Sequence, residues 1–164
     1  MTQNYRIYLD VCCLNRPLDD SSQERIRLEA EAVLLIYQKC RLEECALISS
    51  EAIEAEVAQT PNSTRIEQVM LALAINKQKI VVDQTVKQRA AALIRLGFKP
   101  FDALHIASAE AGGADVLLTT DDRLLRKAAQ YRHQLNVSVN NPANWLIEIH
   151  QTTRETENDD TNRN

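Results

Sequence analysis

Short apolar runs alternate along this chain with longer segments that have the apolar spacing of helices. The runs cover residues 5–9, 46–49, 80–82, 116–119 and 137–139, lengths that suit buried strands. Parallel neighbouring strands need crossover connections, and helices of the intervening size supply them. The alternation therefore predicts an α/β fold, a three-layer αβα sandwich with a central parallel sheet of four or five strands.

Seven segments with helical apolar spacing connect these runs. They are predicted at residues 22–42, 50–58, 66–75, 85–96, 100–112, 121–130 and 142–149. Gly97 is expected to end the fourth helix, because glycine readily adopts the conformation that closes a helix. Pro100 suits the first turn of the next helix, where its missing N–H costs nothing. The hexapeptide NRPLDD, residues 15–20, is expected to form a short loop.

Size and charge limit the classes of protein that this chain can be. A chain of 164 residues with 45% hydrophobic residues is expected to form a single domain, assigned to residues 1–150. Residues 151–164 contain no apolar residue and are expected to be a disordered polar C-terminal tail. The net charge of −4 argues against binding of nucleic acid through overall positive charge, but it does not exclude a local basic rim.

Membrane and disulfide classes are also disfavoured. No apolar run approaches the ~18 residues that span a bilayer, so a soluble, cytoplasmic protein with no membrane partner is expected. Four cysteines form no C-x-x-C pair, and the three histidines show no spacing typical of zinc ligands. The cysteines are therefore expected to be reduced and largely buried thiols.

Four carboxylates stand where an apolar run ends or a helix begins. Asp10 follows YRIYL, Asp121 follows ADVLLTT, Glu56 lies in SSEAIEAEV, and Asp102 lies in KPFDALHIASAEA. Because the carboxyl ends of parallel strands open on one edge of a sheet, these acids are expected to converge there. Crowded carboxylates repel one another, and the usual compensation is a divalent metal ion that takes oxygen ligands.

Each acid taken alone has a structural explanation. Asp10 and Asp121 suit the caps of the segments that follow them, and Asp102 suits the positive end of a helix dipole. Most acids on a short helix simply face the solvent, and residues 50–58 offer three alternatives for the site: Glu51, Glu54 and Glu56. The joint pattern favours a functional cluster, because four unrelated capping residues at one sheet edge would be a poor coincidence.

Three stretches carry a resemblance to a known family. They are YLDVCCLN near the start, AEV at residues 55–57, and FDALHIASAEAGGADVLLTTDDRLL at residues 101–125. Together with the order of the elements between them, they resemble the PIN domain family of VapC-like, metal-dependent ribonucleases over roughly residues 5–149. The most specific part is D-A-x-H-I-A-x-A followed by a strand and T-x-D.

The resemblance implies a set of acidic site residues. Asp10 matches the first metal-binding aspartate, Glu56 the glutamate before a small apolar residue, Asp102 the acid at a helix start, and Asp121 the T-x-D aspartate. All four are expected to be catalytic, and the three aspartates are expected to bind the metal. An all-oxygen site favours Mg²⁺, with Mn²⁺ as a substitute.

Substrate contacts are expected beside these acids. Thr119 matches the hydroxyl residue that commonly lines this family's site, and Arg16 and Arg123 are candidates for a basic rim. His105, one turn after Asp102, is expected to have a packing or hydrogen-bonding role. The resemblance implies an endoribonuclease that hydrolyses RNA phosphodiester bonds, as the toxin of a toxin–antitoxin pair, with an antitoxin protein as partner and a second copy in a homodimer.

One position departs from the family's pattern, and other classes remain as alternatives. The family commonly has Asn or Ser two residues after the first aspartate, whereas this chain has Cys12, a weaker hydrogen-bond partner. A catalytically inactive PIN-like module that binds nucleic acid or protein would keep the acids as caps only. A haloacid-dehalogenase phosphatase needs an acid where Cys12 stands, and a response-regulator receiver needs a characteristic lysine. A Rossmann site needs a Gly-rich turn, which does not follow Leu9.

Overall fold

Five parallel strands form one sheet in the computed structural model, which describes the backbone of residues 4–161 and the side chains of residues 4–154. The strands are β1 (Tyr5–Leu9), β2 (Cys45–Ser50), β3 (Gln78–Ile80), β4 (Val116–Leu118) and β5 (Ser138–Asn140). Their order across the sheet is β3-β2-β1-β4-β5, and every neighbouring pair is parallel. The predicted parallel sheet is confirmed, with five strands.

Helices connect the strands. Within residues 4–161 they are α1 (Val11–Asn15), α2 (Glu24–Arg41), α3 (Glu51–Val57), α4 (Ser63–Leu73), α5 (Gln84–Arg95), α6 (Pro100–Ala111), α7 (Asp122–Gln130) and α8 (Pro142–Thr161). Short 3-10 turns lie at Arg16–Leu18 and Arg132–Gln134. None of the helices in this described part combines the length and the apolarity that crossing a bilayer requires.

The two faces of the sheet carry different helices. Side chains of β1 alternate between the faces, so Tyr5 and Tyr8 point in opposite directions. The Tyr5 ring packs edge-on against Trp145 of α8, with ring centres 5.4 Å apart, and α8 packs beside α2. The Tyr8 hydroxyl contacts His105 of α6 on the other face, where α5 and α6 pack together. The three-layer αβα architecture is therefore confirmed.

Two local signals in the sequence act as expected. Gly97 closes α5 with φ of 93°, and the N–H of Phe98 donates back to the Leu93 carbonyl at 3.2 Å, as in a glycine-terminated helix. Pro100 occupies the first turn of α6. These two residues place Asp102 in the first turn of α6, at the edge of the sheet.

Two other segments differ from the sequence-based prediction. The pattern predicts a strand at residues 80–82, but β3 ends at Ile80, because its partner β2 ends at Ser50 and the two residues are paired in register. Val81 is exposed and the Val82 N–H donates to the Glu51 carboxylate at 2.8 Å. Residues 15–20, predicted as a loop, begin at the last residue of α1, a helix that Asp10 caps, and continue as the 3-10 turn Arg16–Leu18.

The polar segment after residue 150, for which disorder is expected, is helical as far as Thr161. No proline or glycine interrupts it, and each residue added to an existing helix gains a backbone hydrogen bond without the cost of nucleation. The hydroxyls of Thr152 and Thr153 also donate to backbone carbonyls one turn earlier. Residues 162–164 of the predicted tail lie outside the described residues. The assignment of residues 1–150 to a single domain stays a prediction.

A buried carboxylate, Glu29 of α2, joins four elements at the carboxyl edge of the sheet. It is 2% exposed and accepts hydrogen bonds from Arg16 Nε at 2.7 Å, Arg25 Nε at 2.9 Å and Asn141 Nδ2 at 2.8 Å. Arg25 also forms a two-pronged pair with Asp122 at the start of α7, at 2.7 and 2.8 Å. The network therefore connects α2, the first 3-10 turn, α7 and the residue before α8.

Glu29→Gln is expected to lower the free energy of unfolding by about 1–3 kcal/mol, because it removes the buried negative charge that accepts hydrogen bonds from Arg16 and Arg25. Urea unfolding followed by circular dichroism measures this change. Glu31→Gln, on the exposed side of α2, is the matched control and should cost less than about 0.5 kcal/mol. Equal losses in the two variants would contradict the stabilising role of Glu29.

Candidate active site

The strand order reverses between β1 and β4. The chain runs outward from β1 through β2 and β3 and then returns to the other side of β1 as β4. Asp10 follows β1 and Thr119 follows β4, and the Thr119 hydroxyl donates to Asp10 Oδ2 at 2.8 Å. Parallel α/β sheets bind their ligands in the crevice at such a reversal. The first predicted acid therefore lies where this fold offers a binding site.

Asp10 is held from several sides. It is 6% exposed, and its Oδ1 accepts the Val11 N–H at 2.7 Å, which caps α1. Its Oδ2 accepts the Cys12 thiol at 3.3 Å besides the Thr119 hydroxyl. The Cys12 sulfur also accepts the Thr120 N–H at 3.3 Å. The thiol therefore supports Asp10 in this chain, and Asp10 caps a helix while it faces the crevice.

The three glutamates of α3 have different surroundings. Glu51 accepts the Val82 N–H at 2.8 Å, and Glu54 pairs with Lys79 at 3.2 Å, so both serve the neighbouring β3 segment. Glu56 contacts α6 on the side of the crevice. Of the three alternatives that the sequence offers, Glu56 is the one whose carboxylate lies beside Asp10.

His105 lies between these two acids. Its Nε2 is 2.5 Å from Glu56 Oε2 and 3.7 Å from Asp10 Oδ1, and its Nδ1 is 2.8 Å from the Tyr8 hydroxyl. Burial lowers the pKa of His105, but the hydrogen bond to Glu56 and the charge of Asp10 outweigh burial, so the pKa lies above its ordinary value. The expected hydrogen-bonding role of His105 is confirmed, although the sequence does not show these partners.

Asp102 lies in the first turn of α6 and is half-buried. Burial raises the pKa of Asp102 to about 6, and the negative charges of Asp10 and Asp121 act in the same direction, while His105 and Lys99 oppose the rise. The carboxylate accepts no hydrogen bond from the groups that the structure describes. Its oxygens are therefore free to accept a ligand in the crevice. The negative charges of Asp10 and Asp121 lie close enough to act on Asp102, as expected for crowded carboxylates.

Asp121 caps α7. Its Oδ1 accepts the N–H groups of Arg123 at 2.8 Å and Leu124 at 3.4 Å, and its own N–H donates to the Thr119 hydroxyl at 3.2 Å. The negative charge of Asp121 contributes to the raised pKa of Asp102. The four predicted acids thus converge on one edge, as the sequence predicts.

The tightest group of metal-ligating atoms among the described residues differs from the predicted metal set. Asp10, Glu56 and His105 each place one such atom within 4.8 Å of the others. Asp102 and Asp121, predicted as metal ligands with Asp10, lie outside that group. The contact between Glu56 and His105 depends on two helices, α3 and α6, that meet only in the fold, so no local sequence signal reveals it.

The residues predicted to contact a substrate have unequal positions. Thr119 is fully buried, and its hydroxyl donates a hydrogen bond to Asp10 rather than facing the surface. Arg16 is 19% exposed and is bound to Glu29 and Asp19, so the prediction that it forms part of a basic rim is not supported. Arg123 is exposed on the first turn of α7, as a rim residue requires.

One cation near the site is absent from the sequence-based set. Lys99 immediately precedes α6, is exposed, and is close enough to Asp102 for its charge to oppose the rise in that pKa. It forms no salt bridge with the described side chains. Its position three residues before Asp102, at the start of a helix, is the sequence signal that indicates it.

Because its pKa is raised, Asp102 is expected to contribute less to the stability of the metal-free protein as the pH rises. An aspartate in an unfolded chain titrates near 3.9, whereas Asp102 in the fold titrates at about 6, so between these values the native state binds the additional proton. The free energy of unfolding therefore falls with increasing pH up to about 6 and is then flat for this group. Asp102→Asn should remove this dependence and be more stable than the wild type above pH 7 by about 1–2 kcal/mol.

Urea unfolding in the presence of a chelator, at several pH values between about 4 and 8, measures this difference. Asp20→Asn, at an exposed acid, is the matched control and should keep the pH dependence of the wild type. Parallel profiles for Asp102→Asn and the wild type would contradict the assignment.

Comparisons with known proteins agree with this architecture. The PIN domain family model matches residues 7–130. No curated protein sequence matches the chain significantly. Two similar solved structures are VapBC2 from Rickettsia felis bound to a DNA fragment from its promoter and PAE2754 from Pyrobaculum aerophilum.

The similarity to these two structures supports the fold. The first is 14% identical with a TM-score of 0.52, over 82% of this chain and 98% of the other. The second is 16% identical with a TM-score of 0.51, over 91% of this chain and 99% of the other. The family model covers all four converging acids and the strands that position them, and the chain belongs to the PIN domain family.

Proposed function

We propose that this protein is a metal-dependent endoribonuclease that hydrolyses RNA phosphodiester bonds at the acidic edge of its sheet. PIN domain proteins are generally nucleases. The observation that carries the proposal is the convergence of Asp10, Glu56, Asp102 and Asp121 at the strand reversal, with the pKa of Asp102 raised to about 6. Such crowding favours occupation by a cation.

The donor set fits a hard divalent cation. Its acids supply carboxylate oxygens, and Mg²⁺, or Mn²⁺ as a substitute, prefers oxygen ligands and a few carboxylates. We assign Asp10 and Asp102 as the principal ligands, with Asp121 acting directly or through water. Glu56 would place a second ion or the attacking water.

A bound divalent cation lowers the pKa of its water and stabilises the negative charge that develops on the phosphoryl oxygens. The residues of the chain hold this arrangement in place. Thr119 fixes one oxygen of Asp10, and Asp121 is fixed by the first turn of α7, so both acids are oriented before a substrate binds. Lys99 and Arg123, both exposed, are the assigned contacts for the phosphates of the RNA.

Asp10→Asn and Asp102→Asn should each reduce cleavage of RNA by about 100-fold or more, because each removes one ligand charge from the metal site with little change in shape. The assay incubates the pure protein with total RNA or tRNA in Mg²⁺, Mn²⁺ or chelator, and fragment ends are sequenced to identify the cleavage site. Asp20→Asn is the matched control and should cleave as the wild type does.

Calorimetric titration with Mn²⁺ completes this test. The wild type should bind Mn²⁺, and both variants should bind it more weakly. Undiminished cleavage by Asp10→Asn would contradict the metal site. An absence of Mn²⁺ binding that depends on Asp10 and Asp102 would instead favour the inactive PIN-like binding module.

A role as the toxin of a toxin–antitoxin pair extends this proposal. One similar structure is a VapBC complex, which motivates an antitoxin as the partner of this chain. An exposed apolar surface between α2 and α4 is available to a protein partner, either an antitoxin segment or a second copy of the chain. It includes Leu34, Leu42 and Leu71, of which Leu71 is 73% exposed.

Expression of the chain alone in bacteria should slow growth, and Asp10→Asn should relieve the effect, because toxicity would require the metal site. Growth curves measure this, and co-expression of a small protein encoded beside the gene should also relieve it. Normal growth with the active chain at the same expression level would contradict the toxin role.

A further inference from the structure

A chain of buried polar groups leads from the sheet to Glu56. The hydroxyls of Ser50 and Tyr8 are 2.6 Å apart, Tyr8 is 2.8 Å from His105 Nδ1, and His105 Nε2 is 2.5 Å from Glu56 Oε2. Ser50, Tyr8 and His105 are fully buried. Ser50 Oγ also accepts the Ile53 N–H at 3.2 Å, which caps α3, the helix that carries Glu56. The chain of contacts therefore begins at the residue that caps α3 and ends at Glu56 on that helix.

Both nitrogens of His105 are used in this chain. A neutral imidazole has one N–H and one lone pair, and each nitrogen already has a partner at hydrogen-bond distance. The 3.7 Å between Nε2 and Asp10 Oδ1 is too long for a hydrogen bond. The ring is further fixed by Phe101, which stacks on it with centres 6.1 Å apart. His105 is thus arranged to hold a carboxylate rather than to bind a metal ion.

Glu56 depends on this contact for its position. Its side chain is 32% exposed on a helix of two turns, and among the described residues it has no hydrogen-bond partner other than His105. A free glutamate side chain samples many rotamers, and fixing it costs entropy. Without His105, the carboxylate would lose its fixed direction toward the crevice.

We infer that His105 is a positioning residue that holds the Glu56 carboxylate at the acidic edge, and that Tyr8 and Ser50 hold His105 in turn. The inference rests on the proposed nuclease function. Glu56 lies on a short helix at the margin of the site, whereas His105 lies in the core of α6. A buried side chain therefore sets the direction of a partly exposed acid of the site.

Two substitutions separate the two contacts of His105. The amide nitrogen of Gln lies near the position of Nε2 and can still donate to Glu56, whereas the amide of Asn lies near Nδ1 and does not reach Glu56. His105→Asn should therefore reduce single-turnover cleavage of RNA by about 10- to 100-fold, as loss of a residue that orients a ligand does. His105→Gln should restore part of that loss. His133→Asn, at an exposed histidine, is the matched control for folding and cleavage.

A double variant tests whether His105 acts through Glu56. If it does, His105→Asn combined with Glu56→Gln should cleave no more slowly than Glu56→Gln alone. The inference would be overturned if the losses of the two single variants multiplied in the double variant, or if His105→Asn cleaved at the wild-type rate.

Nuclear magnetic resonance of the metal-free protein gives a readout that does not need activity. The imidazole N–H resonance of His105 should shift in Glu56→Gln and stay unchanged in Glu54→Gln, a matched change on the same helix. An unchanged resonance in Glu56→Gln would overturn the inference. Electron spin echo spectroscopy of the Mn²⁺-loaded protein is a second check, because ¹⁴N coupling from a histidine would mean that the ring binds the metal ion and would also overturn the inference. A wild type that does not cleave RNA but shows the Glu56-dependent shift would contradict the proposed function and still support the placement of Glu56 by His105.

Discussion

The hydrogen bond from Thr119 to Asp10 connects the ends of β1 and β4, the two parallel strands between which the strand order reverses. The Asp10 N–H also donates to the Leu118 carbonyl at 3.0 Å, and the Thr119 hydroxyl accepts the Asp121 N–H. One buried hydroxyl thus orients two acids that are distant in sequence. The register of β1 against β4 determines this contact, because a slip of one residue would turn Thr119 to the opposite face. The rest of the site is built around this junction.

Two of the acids proposed for the active site also cap helices. Asp10 caps α1 through Oδ1 and Asp121 caps α7 through Oδ1, and both residues follow strands at the carboxyl edge of the sheet. A structural explanation of each acid is therefore compatible with a functional one. Asparagine caps helices about as well as aspartate. Substitution by Asn consequently removes the charge that the proposed metal site requires while the helix start is retained, which separates the two roles.

Local signals in the sequence predicted the parts of the fold that depend on neighbouring residues. The strands β1 and β4, the helix end at Gly97 and the start of α6 at Pro100 follow from short patterns, and they suffice to bring Asp10, Asp102 and Asp121 to one edge. Long-range contacts could not be predicted in this way. The bounds of β3 are set by its pairing with β2, and the partner of Glu56 lies on α6. Polar composition predicts disorder for residues 151–161, but they continue the preceding helix, because extending a formed helix needs no new nucleation.

Three arginines near the site, Arg16, Arg25 and Arg65, are bound to carboxylates of the scaffold. Arg16 and Arg25 neutralise the buried Glu29, and Arg65 of α4 donates to Asp19 at 2.8 Å. A basic residue that is close to an acidic site in sequence is therefore a poor indicator of substrate contact unless its own carboxylate partners are known. In the proposed nuclease, attraction of RNA falls to the metal at the acidic edge and to the exposed cations Lys99 and Arg123. A net charge of −4 is consistent with this proposal, because the positive charge that attracts RNA would be confined to the edge of the sheet rather than spread over the chain.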